Sequence, residues 1–121
     1  FLSHSFRDDE LIFGIVEILK DMGQKVYIDW VVDKQLSRDS VTKETAETLR
    51  NRMKQSSKLL YLATDNASSS KWMPWELGYF DGLKPGKVAI LPLVNSVDSS
   101  FQGQEYLGLY PALNKDDLKD F

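Results

Sequence analysis

The chain has 121 residues, 42% apolar and 27% charged, which suits a single soluble domain large enough to bury a real core. A net charge of −3 and a pI near 5.1 argue against nucleic acid as the main partner, since phosphate binding needs a basic stripe. There is no cysteine and only one histidine, His4, so disulfide and thiolate chemistry are excluded and a His- or Cys-based metal site is disfavoured.

Phe1-Leu2-Ser3-His4-Ser5 reads as the end of a strand running into a polar loop, so the natural start is expected upstream. Asp8 or Asp9 can cap a helix whose first turn carries Glu10. Leu11, Ile12, Ile15, Val16 and Leu19 recur at helical spacing, and Gly23 closes the element. The β-branched run Lys25 to Asp29 predicts a second strand, followed by a charged, polar loop from Trp30 to Ser40. An amphipathic helix is expected over Thr42 to Gln55, with Ala46, Leu49 and Met53 inward. Lys58 to Thr64 is nearly all apolar, as a strand covered on both faces should be.

The stretch Ser70 to Gly82, Ser-Lys-Trp-Met-Pro-Trp-Glu-Leu-Gly-Tyr-Phe-Asp-Gly, predicts a helix capped by Ser70 and ended by Gly82. Pro74 fits only in its first turn, where a missing N–H costs nothing. Trp72 and Glu76 share one face, continued by Tyr79, while Met73, Leu77 and Phe80 form a second, buried row. Val88 to Val94 predicts a fourth strand with Pro92 at its end or edge. Glu105 to Tyr110 is expected as a fifth short strand, with a helix starting at Asn114.

Alternating strands and helices around an apolar strand predict an α/β, three-layer fold: a parallel sheet with helices on both faces. Ligands in such sheets sit outside the carboxyl ends of the strands, and the helix carrying Glu76 starts at that edge. No Gly-rich phosphate loop and no G-x-S-x-G elbow is present, which disfavours dinucleotide-binding dehydrogenases, P-loop nucleotidases and serine hydrolases. A response-regulator reading fails for want of a Lys after strand four. His4 in Ser-His-Ser reads more simply as a hydrogen-bonded structural residue than as a base.

What remains is one carboxylate, Glu76, among aromatics and hydroxyls: Ser3, Ser5, Tyr27, Trp30, Trp72 and Tyr79. Its bland reading is a surface Glu beside core aromatics. Its chemical reading is glycosidic: a carboxylate stabilises an oxocarbenium-like ribosyl cation, and aromatic faces stack on a base or a cationic leaving group.

Phe-Leu-Ser-His-Ser at 1–5, Val-Tyr-Ile-Asp-Trp at 26–30 and Ser-Lys-Trp-Met-Pro-Trp-Glu-Leu-Gly at 70–78 resemble the three boxes of Toll/interleukin-1 receptor (TIR) domains. The resemblance covers nearly the whole chain, read as a single TIR domain over 1–121 with an incomplete start and last helix, and is closest to prokaryotic TIR proteins of Thoeris-type anti-phage defence. It implies a flavodoxin-like, five-stranded parallel sheet flanked by helices. It also implies an NAD⁺ nucleosidase or cyclase, with NAD⁺ as substrate and no cofactor or metal, yielding ADP-ribose or a cyclic isomer as an immune signal. On that resemblance Glu76 is catalytic, Trp72 shapes the pocket, and Phe6 stacks on the nucleotide; Ser5, Trp30 and Tyr79 complete the expected substrate-binding set.

The loop 30–40 matches the family's BB loop, through which copies self-associate, although the usual proline-centred motif is replaced by Val31-Val32-Asp33-Lys34-Gln35-Leu36. The competing readings are a non-catalytic TIR interaction module and a nucleoside deoxyribosyltransferase-like enzyme, the latter disfavoured because the three boxes match together. No apolar run approaches the roughly 18 residues of a membrane span, so no membrane partner is expected and the cytoplasm is the default compartment.

Overall fold

In the computed structural model, which describes residues 1–5, 9–27, 42–64, 72–92, 105–114, 117, 118 and 121, the apolar run at mid-chain is the centre of a parallel sheet. Strands β1 (Leu2–Ser3), β2 (Leu59–Ala63) and β3 (Val88–Pro92) pair in that order. Leu2 and Ser3 lie opposite Leu60 and Tyr61, and Leu59 to Ala63 lie opposite Val88 to Pro92. Parallel pairing demands crossovers, and helices α1 (Asp9–Asp21), α2 (Lys43–Gln55) and α3 (Met73–Leu83) lie along them.

All five residues of β2 are buried, because its alternate side chains enter two different cores. Leu59, Tyr61 and Ala63 pack with Leu49 and Met53 of α2 and Met73, Leu77 and Phe80 of α3. Leu60 and Leu62 pack with Ile12, Ile15, Val16 and Leu19 of α1. Leu11, counted in the apolar recurrence, is 46% exposed: the i, i+3, i+4, i+7 stripe from Ile12 already fills the inward face. On α2 the buried polar-capable position is Thr45, while Ala46 is only partly buried beside the core.

The helix ends follow local chemistry. Gly23, at φ 82°, donates to the Lys20 carbonyl and Gln24 donates to that of Leu19, a Schellman closure that needs a left-handed residue. Thr42 caps α2, its hydroxyl accepting the Thr45 N–H at 3.1 Å. Beyond α3, the Lys84 ammonium donates to the carbonyls of Lys54 and Ser56, tying the end of α3 to the end of α2.

The sheet edges correct two expectations. Lys25 to Tyr27 form no regular strand, although the Leu2 N–H donates to the Tyr27 carbonyl at 3.2 Å; Ile28 and Asp29 lie outside the described residues. Glu105–Leu109 is a 3-10 helix, not a strand. Contact with β3 is made later in the chain, where Ile90 donates to Pro111 and Leu113 donates to Ile90 around a single bridge at Ala112. The 3-10 turn buries Leu107 under the α2/α3 core and leaves Leu109 79% exposed, a burial that a strand in the sheet plane would not give. At the expected last helix, Asn114 and Asp117 exchange side chain-to-backbone bonds at 3.0 and 3.1 Å, a reciprocal helix-start cap.

Gly82 is also corrected. It lies inside α3 with no positive φ, and Lys84 takes the C-cap, its N–H donating to Phe80 at 2.8 Å. A Cβ at position 82 would meet nothing within 4 Å. Gly82→Ala is therefore expected to stabilise the fold by about 0.5–1 kcal/mol, read as a higher urea midpoint at unchanged slope. A glycine required as a left-handed terminator would give the opposite sign.

Candidate active site

Helix α3 begins with the residue types that its first turn tolerates. Pro74 occupies the first turn, where no carbonyl awaits its absent N–H, and the Glu76 N–H makes the opening helical bond to Trp72 at 2.8 Å. Trp72 holds the N-cap position without a side-chain cap bond; Ser70, expected there, lies outside the described residues. The second predicted row, Met73, Leu77 and Phe80, is buried as expected.

Glu76 is 0% exposed, and the Ser3 hydroxyl donates to its Oε1 at 2.7 Å. A buried carboxylate is costly unless hydrogen-bonded, and here it also lies in the first turn of a helix, where the dipole favours negative charge. Ser3 ends β1, so the carboxylate stands at the carboxyl edge of the sheet. The bland reading of Glu76 as a surface residue is thereby removed.

The aromatic row differs from expectation. Trp72 is 3% exposed and meets Trp75 edge-on at 5.2 Å, while Tyr79 stacks on Trp75 at 5.7 Å and 15°. Arg50 of α2 lies over both outer rings, 5.3 Å from Trp75 and 5.9 Å from Tyr79. Tyr79 therefore belongs to a half-buried ladder with Trp75 and Arg50. Trp72 joins the core directly, and its indole Nε1 has no hydrogen-bond partner among the described residues. Ser5 is buried, and its carbonyl accepts from His4 Nδ1 at 3.2 Å, the structural role read for His4 from its surroundings. Phe6, Trp30 and the loop 30–40 lie outside the described residues.

Trp75 and Arg50 were not among the expected site residues, and Ser3 was expected only as one of the hydroxyls around Glu76, outside the substrate-binding set. Strand alternation carried a signal for Ser3: Phe1 packs with the α2/α3 core and Leu2 with the α1 core, which puts Ser3 back on the α3 side. Arg50 had none, because its pairing depends on how α2 lies against α3.

A cavity of about 570 Å³ opens at the opposite, amino edge, between the starts of β1 and β2 and the ends of α1 and α2. Phe1, Tyr27, Arg52, Lys58 and Phe121 line it. Tyr27, expected with Glu76, thus stands at the opposite edge, its ring 5.4 Å from that of Phe1; none of the other described candidate residues lines this cavity. The candidate site lies at the carboxyl edge, where the buried carboxylate and the helix N-terminus converge. Among the described residues no group of three or more His, Asp or Glu could hold a metal ion, and no helix is long and apolar enough to cross a membrane.

Comparison with known proteins bears on the same segment. The family model described as Thoeris protein ThsB, TIR-like domain, matches residues 1–93. A Bacillus cereus (strain MSX-D12) protein named "Probable 3' cyclic ADP-D-ribose synthase ThsB'" is 53% identical over 116 residues, 95% of this chain and 60% of that protein. A Cytobacillus dafuensis protein provisionally named cyclic ADP-D-ribose synthase TIR2 is 34% identical over 80 residues, 65% of this chain and 21% of that protein. The chain thus spans less than two thirds of the length of the curated relatives it matches.

Proposed function

Because the chain belongs to the Thoeris ThsB TIR-like domain family, we propose that it is the catalytic part of an enzyme that cleaves the nicotinamide–ribose bond of NAD⁺. The observation that carries the reading is Glu76: a carboxylate buried at the carboxyl edge, held by Ser3, at a helix N-terminus. The names of the two relatives support the same chemistry.

In the reaction, the N-glycosidic electron pair leaves with nicotinamide, neutralising its pyridinium nitrogen. The ribosyl carbon becomes cationic, and the Glu76 charge stabilises that cation as it develops. Capture by water gives ADP-ribose; capture by a nucleophilic group of the same molecule gives a cyclic isomer. Trp72, with Phe6, Ser5, Trp30 and Tyr79, forms the proposed substrate-binding set, NAD⁺ acting as substrate and not as a resident cofactor. The product would serve as an anti-phage signal. Incubating the protein with NAD⁺ and separating products by chromatography tests the reading: free nicotinamide with ADP-ribose or an isomer of cyclic ADP-ribose is expected, and intact NAD⁺ overturns it.

Assembly through the loop 30–40 belongs to the same proposal. If one copy's loop completes a neighbour's site, nicotinamide released per molecule should rise with protein concentration. Specific activity that stays flat across a wide dilution series removes this part.

A further inference from the structure

We infer that Ser3 is a positioning residue that fixes the Glu76 carboxylate and keeps it ionised for turnover. The inference rests on the proposed NAD⁺-cleaving reading of Glu76. Both residues are 0% exposed, so water does not compete for the 2.7 Å bond between them. The donor comes from a strand and the acceptor from a helix, 73 positions apart in the chain. Ser3 itself is set by main-chain pairing, with Ser3 opposite Tyr61 in the parallel ladder, so its hydroxyl is anchored by the sheet and not by a loop.

A donor fixed in this way does two things. It selects one rotation of the carboxylate, leaving the Oε2 side oriented by the fold. It also favours the charged form over the neutral acid, because an ionised oxygen accepts a hydrogen bond more strongly. Removing the donor therefore raises the pH at which the buried carboxyl loses its proton. An activity that needs the ionised group then falls off at higher pH on its acid side.

Other titratable groups stand on the elements around Glu76. These include the Phe1 amino group and His4 on and beside β1, Tyr61 on β2, Arg50 on α2, and Tyr79 and Asp81 farther along α3, with Lys84 just beyond its end. Strand β3 carries none. None of these groups is altered in a Ser3 variant, so a shift of the acid limb reports the Ser3–Glu76 bond.

The test compares wild type, Ser3→Ala, Ser3→Cys and Glu76→Gln by thermal melting and by the pH dependence of nicotinamide release. Ser3→Ala is expected to lower kcat about ten- to one-hundredfold with KM within about threefold, and to move the acid limb up by about one pH unit. Ser3→Cys keeps the volume with a poor donor and should move the limb the same way, which covers the case of an unstable alanine variant. If Glu76→Gln is inactive while a folded Ser3→Ala or Ser3→Cys protein keeps the wild-type kcat and acid limb, the role of Ser3 is overturned and the functional reading stands. If Glu76→Gln is as active as wild type, the functional reading itself fails, and the role of Ser3 in turnover fails with it.

Discussion

Glu76→Gln should release nicotinamide from NAD⁺ at least about 10²–10³-fold more slowly than wild type while folding normally. The amide keeps the length of the side chain and can still accept from the Ser3 hydroxyl at the position of Oε1. What it lacks is the charge that meets the ribosyl cation. Stability should change by no more than about 1 kcal/mol, because the substitution removes a buried charge as well as its stronger hydrogen bond. Melting temperature and nicotinamide release, measured on the same preparation, separate the two roles of this residue. A merely structural Glu76 predicts a small loss of stability with turnover intact; a catalytic one predicts the reverse. A well-folded variant with near-normal cleavage would end the catalytic assignment.

Trp72→Ala should cost about 3–5 kcal/mol of stability, read as a large fall in the denaturant midpoint. This follows from its placement in the α2/α3 core at 3% exposure, with its ring edge-on to Trp75. The alanine variant alone therefore cannot report on substrate, since loss of activity would follow from unfolding. Trp72→Phe is the informative partner. It keeps most of the apolar volume and the aromatic contact, and it removes an indole N–H that has no acceptor among the described residues. Its cost should be below about 1.5 kcal/mol. If Trp72 also walls the proposed pocket, the phenylalanine variant should raise KM at near-native stability; an unchanged KM would assign Trp72 to the core alone.

Much of this is legible in the amino-acid sequence. The apolar run in Lys58 to Thr64 announced a strand covered on both faces, and every residue of β2 is buried between two helical layers. Pro74 had to fall in the first turn of its helix, and it does. Met73, Leu77 and Phe80 were readable as a buried row because helical periodicity alone puts them on one side. The family resemblance likewise rested on short local boxes, and the chain belongs to the family that they suggested.

Other features depended on contacts that no local pattern encodes. Leu107 and Leu109 alternate like strand residues, but the neighbour of β3 is the segment at Ala112, so the earlier stretch folds as a 3-10 turn over the core. Gly82 looked like a terminator, yet α3 runs past it, and Lys84 beyond the helix end finds acceptors on the end of α2. Tyr79 was placed with Trp72 and Glu76 by spacing, and the approach of Arg50 from α2 instead accompanies its stacking on Trp75. The sequence by itself determined the alternation of elements, the buried rows and the lone carboxylate at a helix start. Only the tertiary structure decided that this carboxylate is buried and that Ser3 holds it, because parallel strand register and helix-on-sheet packing bring together residues 73 positions apart.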